Sequence, residues 1–208
     1  MRRIQQIAVI FALASAMCAC GAAHHIHYYV IDAGPAASTL AAAQIPVTIV
    51  VARITSTHLY RDDRLVYGSG PVELGTYEFE RWSESPVDMM QDLLVATLRS
   101  GGEYGSVARV GSRQKGNYVL HGHLNSLYEV DKPSLVARFS LELELFDTKT
   151  GMTVWTQTYS HDEPVSGKSV TNVIEAMDKN VHSGIQDLTA GIAQYFASHP
   201  PQAAASGK

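Results

Sequence analysis

The chain has 208 residues, with 16 Lys and Arg against 20 Asp and Glu, and its formal net charge is −4. This length accommodates one domain of typical size once terminal segments are set aside. The acidic balance argues against nucleic acid as a partner, because phosphate binding requires clustered Lys and Arg.

The first residues have the pattern of a secretory signal peptide. Arg2 and Arg3 precede an apolar run over residues 7–17. That run is too short to span a bilayer, and small residues follow it. We predict a signal peptide over residues 1–19.

The residues around the predicted cleavage point are typical of a bacterial lipoprotein. Cys20 follows the small Ala19 and precedes Gly21. In such signals the cysteine thiol is alkylated with diacylglycerol, and the chain is cut before it. Cys20 is therefore the predicted lipidation site, and Cys18 leaves with the signal peptide. Plain secretion with an unmodified Cys20 is the alternative.

Removal of the signal peptide changes the charge and cysteine content of the chain. Without Arg2 and Arg3, the formal net charge of the mature chain is about −6. A single cysteine remains, so no internal disulfide can form. Two or three acyl chains on Cys20 would give stable membrane attachment. Gly21 and Ala22, rather than Asp, follow the cysteine, which favours the outer membrane, periplasmic face.

The chain divides into four predicted segments. Residues 1–19 are the signal peptide, and residues 20–44 are the acylated N-terminus and a tether rich in Gly, Pro and Ala. Within that tether, residues 28–31 have a short β-prone pattern. Residues 45–198 form the predicted domain, and residues 199–208 form a disordered tail of small residues.

Two strand regions are predicted early in the domain. Residues 45–54 are apolar on both faces, which indicates a strand covered on both sides. Residues 65–67 and 72–79 predict a hairpin around Gly and Pro at 68–71.

Helix signals and further strands follow. Ser85 and Pro86 predict a helix start, and glycines at 101–102 predict its end. Strands are predicted over residues 117–130, 135–146 and 153–159, the last two joined by a turn. A second helix is predicted from about Ser169 to Phe196, where apolar residues recur every three or four positions. These elements predict an α+β fold with a mixed, mostly antiparallel sheet packed with two helices.

No enzyme is visible in the sequence. It has no Gly-x-Ser-x-Gly elbow and no free cysteine. Glu142 and Glu144 lie on the polar side of an amphipathic strand, where solvated carboxylates are usual. We predict no cofactor and no catalytic residue.

His121 and His123 would point to the same face of a strand, and two such histidines can hold a metal ion. A third ligand would have to come from His161, Asp162 or Glu163. Packed or exposed strand histidines are commoner than ligands, so we predict no metal site.

Arg81 and Trp82 are the predicted contacts with a partner protein, since Trp and Arg dominate binding hot spots. The alternative is that Trp82 is buried and joins the first helix to the sheet.

Five stretches, in this order, resemble the auxiliary lipoproteins of ABC-type transport systems. The stretches are Tyr28–Ile31, Leu59–Tyr67, Glu80–Pro86, Asp147–Trp155 and Val165–Phe196. The resemblance covers nearly all of residues 28–196. It implies a fold akin to the N-terminal domain of TolB and no chemistry of the chain's own.

The resemblance also implies partners. Family members act beside MCE-domain tunnel proteins and ABC transporter subunits that move lipids between the two membranes. A ring-shaped partner would favour a homo-oligomer by matching symmetry. Two alternatives remain open: a scaffold or activator of cell-wall synthesis, and a metal- or ligand-binding envelope protein built on His121 and His123.

Overall fold

The computed structural model describes residues 24–31, 45–69 and 72–201. The strands are β1 (His27–Tyr29), β2 (Ile45–Val51), β3 (Thr55–Ser56), β4 (Arg64–Gly68), β5 (Leu74–Trp82), β6 (Tyr104–Arg109), β7 (Tyr118–Val130), β8 (Val136–Asp147) and β9 (Met152–Pro164). The helices are α1 (Pro86–Ser100) and α2 (Val170–Ser198). The predicted signal peptide, Cys20 and the linker over 32–44 lie outside the described residues. In the part that is described, no helix has the length and apolar character needed to cross a membrane.

One mixed sheet contains all nine described strands, and the long strand β7 lies at its centre. Strands β2, β3 and β4 pair in turn with one edge of β7, all parallel to it. The other edge pairs antiparallel with β8, which pairs antiparallel with β9. Beyond β4 come β5 and then β1, so β1 and β9 lie at opposite edges.

The predicted α+β class with a mixed sheet and two helices is confirmed. The longest ladders, β7 with β8 and β8 with β9, are antiparallel. The predicted hairpin is the antiparallel pair β4 and β5. One hydrophobic core joins the sheet to both helices.

Local capping signals define where α1 begins and ends. The hydroxyl of Ser85 accepts a hydrogen bond from the backbone N–H of Asp88, and Pro86 occupies the first turn. Asp88 also places a negative charge at the positive end of the helix dipole. Gly101 caps the C-terminus, as predicted.

Helix α2 lies unusually close to β8 and β9 because of one glycine. A Cβ atom on Gly184 would come within 2.6 Å of the Tyr159 ring and 2.7 Å of the Phe139 ring. The absence of a side chain there lets the helix backbone rest directly on two aromatic rings. A side chain at position 184 would therefore require the helix or the two rings to shift.

A buried amide ties the same helix to both strands. Asn180 is fully buried, and its NH2 group donates to the carbonyls of Ala137 and His161, each at 2.9 Å. Its carbonyl oxygen accepts from the Tyr159 hydroxyl at 3.0 Å. The polar group is thus satisfied inside the core, which is the condition for burying it.

The structure differs from the sequence prediction at several element boundaries. The first domain strand ends at Val51 rather than at residue 54. Strand β6 was not predicted, because Gly105, Ser106 and Ala108 interrupt any apolar alternation. Strand β1 lies inside the segment assigned to the tether, and its pairing with β5 makes it part of the sheet. Strand β9 is longer than predicted.

Candidate interaction surface

Trp82 ends strand β5 and is 1% exposed. Its backbone N–H donates to the carbonyl of Asp63 at 2.6 Å, and Tyr29 is its cross-strand neighbour on β1. The ring therefore belongs to the core of the described chain. This position agrees with the alternative that Trp82 joins the first helix to the sheet.

Arg81 lies next to Trp82 but points to the other face of the sheet. Its Nη1 donates to the Asp63 carboxylate at 2.8 Å, and its side chain is 23% exposed. Its cross-strand neighbours are Tyr28 on β1 and Arg64 on β4. Arg81 is thus a partly accessible charged group in a row of three side chains near one sheet edge.

A carboxylate fixes strand β1 to its neighbour. Glu80 accepts from the Tyr29 hydroxyl at 2.7 Å and lies 3.1 Å from the Nδ1 of His27. Burial, and then the hydrogen bond to Glu80, raises the pKa of Tyr29 to about 12. The phenol therefore remains a hydrogen-bond donor at neutral pH. Strand β1 contacts the Glu80 carboxylate through two side chains, His27 and Tyr29.

The histidines singled out in the sequence share one face of β7, as predicted. In the antiparallel register His121 lies opposite Glu144, and His123 lies opposite Glu142. The Nδ1 of His123 is 2.8 Å from the hydroxyl of Thr55. These five side chains surround a shallow depression of about 240 Å³.

The third ligands that a metal site would have required are engaged elsewhere. Asp162 accepts two hydrogen bonds from Arg138, at 2.7 and 2.6 Å, and these bonds lower its pKa. Glu163 pairs with Lys179 and lies 3.6 Å from His161. Among the residues that the structure describes, no three His, Cys, Asp or Glu side chains are grouped so as to hold a metal ion.

A groove of about 360 Å³ lies between α1 and α2. Leu93 and Leu98 line it from one helix, and Ile185 and Ala193 line it from the other. Tyr104, at the start of β6, also lines it and is 7% exposed. Its hydroxyl is buried and has no hydrogen-bond partner among the described residues. Burial raises the pKa of Tyr104, so the hydroxyl stays protonated.

Because the hydroxyl is unpaired, Tyr104→Phe is expected to stabilise the protein. A buried polar group without a partner costs about 1–3 kcal/mol, so its removal should increase the free energy of unfolding by about 1 kcal/mol. Urea unfolding of the purified protein measures the change. Tyr118→Phe is the matched control, because both tyrosines meet the Phe196 ring edge-on while Tyr118 is only partly buried. A loss of stability in Tyr104→Phe would mean that the hydroxyl is satisfied.

The comparison with protein families gives one match that spans the described domain. A family model described as an ABC-type transport auxiliary lipoprotein component matches residues 29–192. The matched range runs from the end of β1 to the last turns of α2. No functionally curated protein matches the chain.

Solved structures share the fold. A Xanthomonas campestris protein of the DUF330 family is 17% identical, covers 83% of this chain and 98% of its own, and has a TM-score of 0.73. An uncharacterised protein is 9% identical, with 81% and 99% coverage and a TM-score of 0.61. A hypothetical protein from Chlamydia trachomatis is 6% identical, with 74% and 99% coverage and a TM-score of 0.50. At these identities the likeness establishes the fold alone.

Proposed function

The chain belongs to the family of ABC-type transport auxiliary lipoproteins, and from this premise we propose that it serves an MCE-type lipid transport system from the outer membrane. Its role is accessory: it binds partner proteins and carries out no reaction itself. The observation that carries the proposal is the family match over residues 29–192, which includes most of the sheet, all of α1 and most of α2. The family is a transport component, not an enzyme family.

The anchor in this proposal is diacylglycerol and a further acyl chain on Cys20. Only Gly21, Ala22 and Ala23 separate that cysteine from His24, the first described residue. Attachment through more than one acyl chain is stable rather than reversible. Confinement to the membrane raises the local concentration of the domain near a partner that spans the periplasm.

The partners in this proposal are an MCE-domain tunnel protein and ABC transporter subunits. Arg81 is the contact residue that we retain from the sequence, because its guanidinium is partly exposed beside Asp63. Trp82 is buried, and its role in the contact is to position Arg81 by holding the end of β5 in place. A homo-oligomer would follow if the tunnel partner is a ring.

Charge reversal at Arg81 should remove partner binding without unfolding the chain. The Arg81–Asp63 pair is partly buried, so its loss should cost about 1–2 kcal/mol, within the usual range for single substitutions, and equal thermal midpoints establish that Arg81→Glu is folded. Repulsion from Asp63 would displace the side chain and place a negative charge at the contact. Crosslinking in the native envelope, purification in mild detergent and mass spectrometry measure which proteins are recovered.

Arg109→Glu is the charge-reversal control, because Arg109 also pairs with an aspartate, Asp92, and its side chain is more exposed than that of Arg81. We expect an MCE-domain protein and transporter subunits with the unchanged chain and with Arg109→Glu, and their loss with Arg81→Glu. Recovery of cell-wall synthases in their place would contradict the transport role and favour the scaffold alternative. Equal recovery of the partner proteins with both variants would mean that Arg81 is not a contact residue.

A further inference from the structure

Strand β1 and its flanks carry large apolar side chains on their outer side. Ile26, Tyr28 and Val30 are 43%, 62% and 59% exposed. Alternate residues of an extended chain point to one side, and we call these three the outer strip; Val30, which follows β1, also borders a depression beside α1. The inner side, with Tyr29 half-buried and Ile31 buried, packs against the domain. A strand with water on its outer side usually carries polar residues there, so this pattern indicates that both sides are covered.

The outer strip is held in a fixed orientation. Strand β1 pairs in parallel with β5, and the backbone N–H of Ser83 donates to the carbonyl of Tyr29 at 2.7 Å. The imidazole of His24 stacks on the ring of Phe79, with 4.6 Å between ring centroids. The strip is therefore a defined surface of the folded domain.

The outer strip is also close in sequence to the anchor. From Cys20 to His24 the chain can extend by at most roughly 14 Å, at about 3.6 Å for each residue. The headgroup layer on one side of a bilayer is about 5–7 Å thick. A domain tethered this closely must present some part of its surface to the lipid, and the outer strip is the part that directly follows the tether.

We propose that Ile26, Tyr28 and Val30 lie against the headgroup layer of the membrane that holds Cys20, and so orient the domain on that membrane. The proposal rests on the proposed function, because it takes Cys20 as acylated. Tyrosine suits this position, since its ring is apolar and its hydroxyl can remain among the headgroups.

The neighbouring charges indicate that apolar side chains, and not charged ones, produce the contact with the membrane. Arg81 and Arg64 lie in the same cross-strand row as Tyr28. Arg81 pairs with Asp63 and Arg64 with Asp62, so the row carries no net charge. Attraction between basic residues and anionic lipids therefore contributes little, and the contact should not depend on anionic lipid.

The test uses single cysteines labelled with the environment-sensitive dye nitrobenzoxadiazole. The full lipidated chain is reconstituted into vesicles of phosphatidylethanolamine and phosphatidylglycerol that contain doxyl-labelled lipid as quencher. Acylation blocks the thiol of Cys20, so an introduced cysteine is the only free thiol. The test positions are Tyr28→Cys and Val30→Cys, and equal thermal midpoints establish that each labelled chain is folded.

Two control positions distinguish contact of a side chain with the membrane from closeness to the lipid anchor. His27→Cys is as close to the anchor as the test positions, but its side chain points to the opposite side of β1. Met152→Cys is 65% exposed and begins strand β9, at the other edge of the sheet. We expect blue-shifted emission and lipid quenching at 28 and 30, water-like emission at 27 and 152, and the same result without phosphatidylglycerol.

Other outcomes overturn the proposal in distinguishable ways. Equal emission at 27 and 28 in vesicles with bound protein would overturn this inference and leave the transport role standing. A blue shift at 28 without lipid quenching would mean that a second copy or another protein covers the strip. A chain that does not float with the vesicles has no anchor, and that result would contradict the proposed function as well.

Discussion

Cys20→Ala is expected to abolish fatty-acid incorporation into the protein and to remove it from the outer-membrane fraction. The thiol of Cys20 is the predicted site at which the proposed diacylglycerol is attached. Each buried CH2 of an acyl chain contributes about 0.8 kcal/mol to membrane attachment, so the loss of all chains removes most of the free energy that holds the protein on the membrane. Metabolic labelling with an alkyne fatty acid, followed by separation of the two membranes on a sucrose gradient, measures both effects.

Cys18→Ala is the matched control for the anchor. Cys18 lies two positions earlier and leaves with the predicted signal peptide. Its replacement should therefore leave acylation and the outer-membrane location unchanged. Loss of the label with Cys18→Ala, together with retention in Cys20→Ala, would contradict the assignment and move the acylated residue to Cys18.

The helices could be predicted from the sequence because their signals are local. The cap at Ser85, Pro86 in the first turn and Gly101 at the end act within one or two turns of α1. At α2, Ser169 caps the helix together with Asn172. Such signals do not depend on how the rest of the chain folds, so both helix ends were predicted to within about two residues.

The edge strand β9 was predicted, and residues 28–31 have a β-prone pattern, but the pairing of β1 and the existence of β6 could not be predicted in the same way. Strand β1 pairs with β5, and His27 and Glu80 are opposite each other although far apart in the chain. Strand β6 pairs with β2, where Val51 lies opposite Arg109. Their stability comes from neighbours supplied by the tertiary fold, and short strands of this kind have little periodicity of their own.

The candidate surface was predictable only in part. The alternation of β7 correctly placed His121 and His123 on one face. Their neighbours Glu142 and Glu144 depend on the register of β7 against β8, which a bulge in the ladder shifts. The burial of Trp82 depends on which face of β5 the core covers, and no local pattern in that irregular strand reveals it.

Trp82→Ala is expected to lower the free energy of unfolding by about 3–5 kcal/mol. Its ring is 1% exposed and is among the largest fully buried side chains of the described chain. Truncation removes its contacts and leaves a cavity in the core at the end of β5, beside β1. The free energy of unfolding of a folded domain is about 5–15 kcal/mol in total, so the variant would lose a large share of its stability.

Urea unfolding of the purified protein in mild detergent, followed by fluorescence, measures this loss, because Trp155 remains as the reporter. Trp155→Ala is the matched control: that ring is only half-buried and packs against α2 near Gly191. Trp155→Ala should lower the free energy of unfolding by about 1–2 kcal/mol, within the usual range for single substitutions. Trp82→Phe should recover part of the loss by refilling the cavity. Equal losses in the two Trp→Ala variants would mean that Trp82 contributes no more to the stability of the core than the half-buried Trp155.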